Sequence, residues 1–276
     1  MRIEEMEIGR EKEALAFLER DPVRNLRVIW ALSRWGLFDL GLPEQGKYLV
    51  ARSRGSIRGI LLLNNQGMMR VVGRGDAARA LAECALSSWG MPQVLAGPEE
   101  EVLELLAGVD ELARAVEHRE EEVSLALSAR DFIPCWGRAR IAWENDIDHL
   151  AVLEGMLQEE LLGSIAEAWV IRSQMRRSLE DGTAALVVLD GRPAAKAQIE
   201  AATPLVDELG GVYTVPELRR RGFAAAACTL VCRASLQRDK TVRLETQRGN
   251  EAAIALYERL GFKILWPHLA VRFEPS

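Results

Sequence analysis

The period of the apolar positions changes repeatedly along the chain, and each change predicts an element. In the second half, residues 140–143 form a short strand, and Asp146 opens a helix carried by His149, Leu150, Leu153 and Leu157. Residues 165–179 have the spacing of another helix. Residues 183–189 are apolar and partly β-branched, Asp190-Gly191 is a hairpin signal, and residues 194–201 return as a strand. A strand over 211–215, a helix over 221–238 and an alternating strand over 241–246 follow. Asn250 caps a helix that stops at Leu260-Gly261, and strands over 262–266 and 269–273 flank Pro267.

The first half repeats much of this order. Helical patterns cover residues 11–19 and 23–35, and strand patterns cover 48–52, 57–63 and 68–72. A helix over 76–89, a strand over 93–96, a helix over 98–106 and a strand over 123–128 complete it. Between the halves, Pro134 and Gly137 punctuate a stretch with no sustained period, as in a connector. The expected domains are therefore 1–128 and 138–276, joined by 129–137. The fold class is α/β (α+β), with two mixed-sheet domains in tandem.

Composition narrows the function classes. A length of 276 residues suits two domains or one large one, and 49% apolar with 28% charged residues excludes a disordered or collagen-like chain. No apolar run approaches a membrane span, and the acidic start Met-Arg-Ile-Glu-Glu-Met-Glu is not a signal peptide. Cys84, Cys135, Cys228 and Cys232 are scattered and read as reduced thiols, so the expected location is cytoplasmic. A net charge of −6, with neither half basic, argues against a nucleic-acid binder. No membrane partner is expected, and a homodimer is compatible with the chain.

The stretch that carries chemistry runs from Val212 to Ala224. A strand ends at Pro216, which cannot donate a ladder hydrogen bond and so frees the strand's end. Arg219, Arg220 and Arg221 form a basic turn, Gly222 admits close backbone approach, and a helix opens on Phe223, Ala224 and Ala225. Helix N-termini present unpaired amides and partial positive charge, which suits phosphate. A solvated arginine turn is the plainer alternative.

The spacing of Arg219, Gly222 and Ala224 resembles the signature of the GNAT superfamily of acyl-CoA-dependent N-acetyltransferases. A second block agrees with that family: Asn250, Ala253, Leu256-Tyr257 and Gly261-Phe262. The resemblance covers roughly residues 138–276. The first half is similar to a divergent GNAT-like domain that precedes GNAT domains in some bacterial proteins, through Asp21-Pro22-Val23-Arg24-Asn25, and is expected to hold no cofactor.

The resemblance implies transfer of an acetyl group from acetyl-CoA to a primary amine, on a small molecule or a peptide, by direct attack and without metal. The backbone of Val212, Tyr213 and Thr214 would bind the pantetheine arm, and the amides of Arg220 to Ala225 the diphosphate, with Asn250 also on the cofactor side. Tyr257 would protonate the departing thiolate. Glu245 is the first choice of base, with Glu200, Glu208 or water as alternatives. On the residues alone, without the motif, Tyr257 reads as a packed helix tyrosine, and Glu245 could equally be a solvated strand end. A non-catalytic acyl-CoA-binding or sensing protein is the alternative function. Cys228 and Cys232, four apart without further ligands, read as buried thiols and not as a metal site. No histidine has triad or ligand spacing, and Glu120–Glu122 reads as a solvated turn.

Overall fold

The computed structural model describes residues 1–181 and 183–274. They form two compact units. The first comprises Met1–Ser124, Thr246–Gly249 and the residues from Leu265 onward, and the second comprises Leu125–Glu245 and Asn250–Ile264. The sequence placed its connector at 129–137. Those residues lie inside the second unit, and the end of the chain lies inside the first.

The first unit opens with β1 (Arg2–Glu5), α1 (Glu11–Leu18) and α2 (Leu26–Trp35). The strands β2 (Gly46–Ser53), β3 (Ser56–Asn64) and β4 (Met68–Val72) follow as antiparallel neighbours. Then come α3 (Gly75–Trp89), β5 (Val94–Pro98), α4 (Glu99–Gly108), α5 (Asp110–Arg114) and β6 (Val116–Leu127). Period-two alternation decides which face each side chain joins. Tyr48 and Val50 pack with Leu18, Ile29 and Leu32 of the first two helices, whereas Leu49 and Ala51 pack with Leu81, Leu105 and Leu112 on the other face. The chain's last strand, Lys263–Phe273, pairs antiparallel with β5 and places Leu269, Val271 and Phe273 in that second core.

The second unit contains β7 (Arg140–Ile141), α6 (Ile147–Leu162), α7 (Ala168–Asp181), β8 (Ala184–Leu189), β9 (Arg192–Ala202) and β10 (Val206–Thr214). It continues with α8 (Phe223–Leu236), β11 (Thr241–Gln247) and α9 (Glu251–Arg259), after which the last strand is β12. Its sheet runs β11-β10-β9-β8-β7. Leu186 faces α6 and α7 with Leu150, Ile171 and Met175, while Val187 and Ala195 face Phe223 at the start of α8. The 129–137 segment is sewn to this unit: Ile133 N–H donates to Leu260 O (3.0 Å) and Cys135 N–H to Thr229 Oγ1 (2.9 Å). Gly261 (φ +97°) lies against the Asp131 carbonyl, where a Cβ has no room. No helix among the described residues is long and apolar enough to cross a membrane.

Several elements differ from the sequence reading. The glutamates at 120–122 lie inside β6 and not in a turn. Glu120 pairs with Arg272 (3.1 Å), Glu121 with Arg248 (3.0 Å) and Glu122 with the buried His268 (2.9 Å). The two strands expected around Pro267 are one continuous β12. The strand expected from residue 211 begins five residues earlier, at Val206.

Candidate active site

The site is built where β10 and β11 part. Their parallel register runs from Val206–Thr241 to Glu208–Arg243, and both strands then continue, to Thr214 and Gln247. The cause is upstream of Pro216. The pairing of β10 with β9 shifts between Glu208 and Leu209 and again between Gly210 and Tyr213, so Gly211 and Val212 form a bulge. Gly211 has φ +53°, and a Cβ there would lie 2.6 Å from Lys196 Nζ and 2.8 Å from the Gln198 amide. Only glycine suits that backbone without strain. Val215 N–H still donates to Ala194 O (3.0 Å), so the strand end stays attached to β9 while it leaves β11. Val212, Tyr213 and Thr214, expected to carry the pantetheine contacts, are the residues at this divergence.

A single 3-10 turn (Pro216–Leu218) leads from β10 into the basic loop. Arg220 is left-handed (φ +60°), as is Gly222 (φ +81°), which caps α8 with open space beside its Cα. The first amides of α8, on Phe223, Ala224 and Ala225, have no intrahelical acceptor by helix geometry. Ala226 N–H is the first to donate within the helix, to Gly222 O (3.0 Å). Arg220 and Arg221 are exposed around this end. Arg219 is engaged otherwise: its Nε donates to Thr214 O (3.1 Å), it pairs with Glu160 of α6 (2.5 Å), and it stacks on Tyr213 (5.7 Å). It braces the loop. A cleft of about 730 Å³ adjoins the loop, with Arg138, Arg192, Arg221, Gly222 and Phe223 in its lining.

Tyr257 lies on α9 and is buried, 5.7 Å from Phe262 ring to ring. Burial pushes its phenol well above the ordinary tyrosine range, reinforced by the nearby Cys228, Cys232 and Glu200. The two cysteines are buried in α8. Desolvation pushes Cys228 up to about 12 and Cys232 well up as well, which disfavours the thiolate a metal would need. The Asn250 side chain accepts from Ala253 N–H (3.1 Å), so it serves as the N-cap of α9.

Three carboxylates are carried by the parting strands and by β9 beside them. Glu208 is buried in register opposite the buried Arg243, and Glu245, two residues along the same strand, forms an ion pair with Arg243. Glu200 leans its carboxylate over Gly210, where any Cβ would collide with it. The sequence reading missed the group beside them. Lys196, 0% exposed, pairs with Glu154 of α6 (2.8 Å) and donates to Gln198 Oε1 (3.1 Å) and Gly211 O (2.8 Å). A signal was present: Lys196, Gln198 and Glu200 alternate along an otherwise alanine-rich buried strand and so mark one polar face.

Comparison with known proteins agrees with this geometry. Residues 150–262 match the family described as Acetyltransferase (GNAT) family. This part of the chain is a GNAT acetyltransferase domain, of the class that uses acyl-CoA. The whole chain has the fold of tandem GNAT proteins. It is similar to an acetyltransferase of the GNAT family from Colwellia psychrerythraea (12% identity, 99% of this chain and 100% of that one, TM-score 0.64). A GCN5-related N-acetyltransferase from Sphaerobacter thermophilus is similar too (14%, 98% and 94%, TM-score 0.62). So is a tandem GNAT protein from the clavulanic acid biosynthesis pathway (15%, 100% and 99%, TM-score 0.61). At such identities the likeness carries the fold alone. No curated protein sequence matches the chain.

Proposed function

We propose that the second unit transfers an acetyl group from acetyl-CoA to a primary amine by direct attack. The observation that carries this reading is the parting of β10 from β11 after Glu208–Arg243, beside a helix that opens on Gly222. An extended amide-bearing arm fits the first feature, and a diphosphate fits the second. The amides from Arg220 to Ala225 hold the diphosphate, with Arg220 and Arg221 as countercharge. The backbone of Val212 to Thr214 binds the pantetheine and polarises the thioester carbonyl. The amine nitrogen adds to that carbonyl carbon, the C–S bond breaks, and the sulfur leaves with the bonding pair. Tyr257 gives the sulfur a proton; its raised pKa keeps the phenol protonated throughout the neutral range. Glu245 takes the proton released by the amine, directly or through water. Glu200, Glu208 and water are the alternatives. The steps draw on no metal.

The first unit, in this reading, binds no acyl-CoA. Its corresponding helix start is already filled: Gly75 N–H donates to Glu104 Oε1 (2.9 Å), and Arg74 pairs with Glu100 (3.4 Å) and Glu101 (3.5 Å). A carboxylate from α4 thus occupies the place a phosphate would take. The test is release of free CoA from acetyl-CoA across a panel of primary amines, from polyamines to peptides. Amine-dependent release supports the proposal. Tight acetyl-CoA binding without release for any amine would leave the sensing alternative.

A further inference from the structure

We propose that Lys196 is a positioning residue for acyl transfer: it sets the Gly211–Val212 peptide so that the Val212 N–H faces the acyl carbonyl. The inference rests on the functional reading above and adds a residue to it.

A fully buried lysine is costly unless its charge is paired and its protons are taken up. Lys196 meets both conditions with a specific set: the Glu154 carboxylate (2.8 Å), Gln198 Oε1 (3.1 Å) and Gly211 O (2.8 Å). The ion pair with Glu154 and the bond to Gln198 would suffice for a merely structural cation. The third is backbone, and it belongs to the residue that breaks the β10 register. A strand carbonyl normally points along the sheet to its neighbour, but at Gly211 the positive φ turns it toward a side chain. A trans peptide points its C=O and N–H in opposite directions. Fixing the Gly211 carbonyl on the ammonium therefore aims the Val212 N–H away from Lys196. Register accounts for why this matters locally. Gly210 pairs with Gln198 and Tyr213 with Lys196, which leaves Gly211 and Val212 as the two residues the ladder skips. Their peptide has no neighbouring register to hold its angle, and Lys196 supplies that constraint. A charged donor binds a carbonyl more strongly than a neutral one and also polarises the peptide, which makes its N–H a better donor to developing negative charge.

The test replaces Lys196→Met together with Glu154→Gln, so that no lone buried charge is left to unfold the unit. Three quantities are read: the melting temperature, the affinity for acetyl-CoA, and the carbonyl carbon shift of bound [1-13C]acetyl-CoA. Amine-dependent kcat is the fourth. The double variant is expected to melt within a few degrees of the parent and to bind acetyl-CoA within about threefold. It should lose the downfield carbonyl shift, and its kcat should fall by about 10²-fold, the lower range for losing an oxyanion donor. Lys196→Arg should recover part of both, since a guanidinium can still donate to Gly211 O. A folded double variant with the parent's carbonyl shift and kcat would overturn the assignment, as would a parent enzyme whose bound carbonyl is unshifted. The carbonyl signal needs no acceptor amine. Failure of the positioning role is therefore distinguishable from failure of acyl transfer, which would show as a normal shift without turnover. A parent that binds no acetyl-CoA would remove both readings.

Discussion

Val271→Ala probes the packing of the chain's last strand with the first unit. Val271 is fully buried, pairs in register with Leu95, and packs in a cluster with Leu49, Leu61, Leu81 and Leu105. Truncation to alanine deletes two methyl groups. At about 0.8 kcal/mol each, transfer contributes about 1.6 kcal/mol, and the unfilled volume raises the total to about 2–3 kcal/mol. That corresponds to about 30- to 150-fold in an opening equilibrium, because 1.4 kcal/mol is tenfold. Hydrogen exchange followed by mass spectrometry reads the opening segment by segment. Peptides covering residues 57–63 and 78–86 should exchange faster by that factor, while those covering 184–189 and 194–199 change little. Val187→Ala, at a fully buried position of the second unit, should give the reverse pattern. Equal acceleration of 184–189 and 78–86 by Val271→Ala would refute the reasoning.

Tyr257→Phe should lower kcat by about 10²- to 10⁴-fold with acetyl-CoA affinity nearly unchanged, because the ring keeps its packing and only the transferable proton is lost. Since burial raises the phenol's pKa, the parent's kcat profile should show no alkaline limb from this group below about pH 10; parent-like kcat in the variant, measured in single turnover, would mean that another donor protonates the thiolate. Asp146 governs an acid limb of stability. Arg140 grips its carboxylate at 2.7 Å through both terminal nitrogens and the Trp143 N–H adds a bond (2.9 Å), so its pKa is held down to about 2. The unfolded chain takes up that proton near pH 4, so the contribution is complete above this value and is lost as pH falls toward 2. Asp146→Asn should cost about 1–2 kcal/mol at neutral pH and flatten that limb in urea titrations, and an unchanged slope between pH 4 and 2 would count against the pair.

The parts of the site that depend on local geometry were legible in the sequence. Gly222 before an alanine-rich helix, Asn250 as an N-cap and Gly261 as a stop each specify a backbone conformation, and the helices open and end there. The parts that depend on distant partners were not. Strand β10 was expected only from residue 211, yet it begins at Val206 and carries Asp207, which is paired with Arg238 (3.2 Å) and Lys240 (2.7 Å) beyond the end of α8. Glu120–Glu122 looked like a turn because their partners, Arg272, Arg248 and His268, lie some 130 to 150 residues away. The strand's divergence was expected at Pro216, a residue with an obvious missing donor. It occurs after Glu208–Arg243, and the bulge that follows at Gly211–Val212 lies against Lys196 and Gln198, with Glu200 over Gly210. The pairing of β12 with β5 is equally non-local.

The most direct test of the central claim is calorimetric titration of acetyl-CoA into the full chain and into its Gly222→Asp variant. The substitution puts a side chain at φ +81° and a negative charge where the diphosphate must approach the amides of α8. One molecule should bind per parent chain, with Glu104 filling the other helix start, and binding should be lost in the variant while circular dichroism stays that of the parent. Two molecules per chain, or an unchanged affinity in Gly222→Asp, would contradict it.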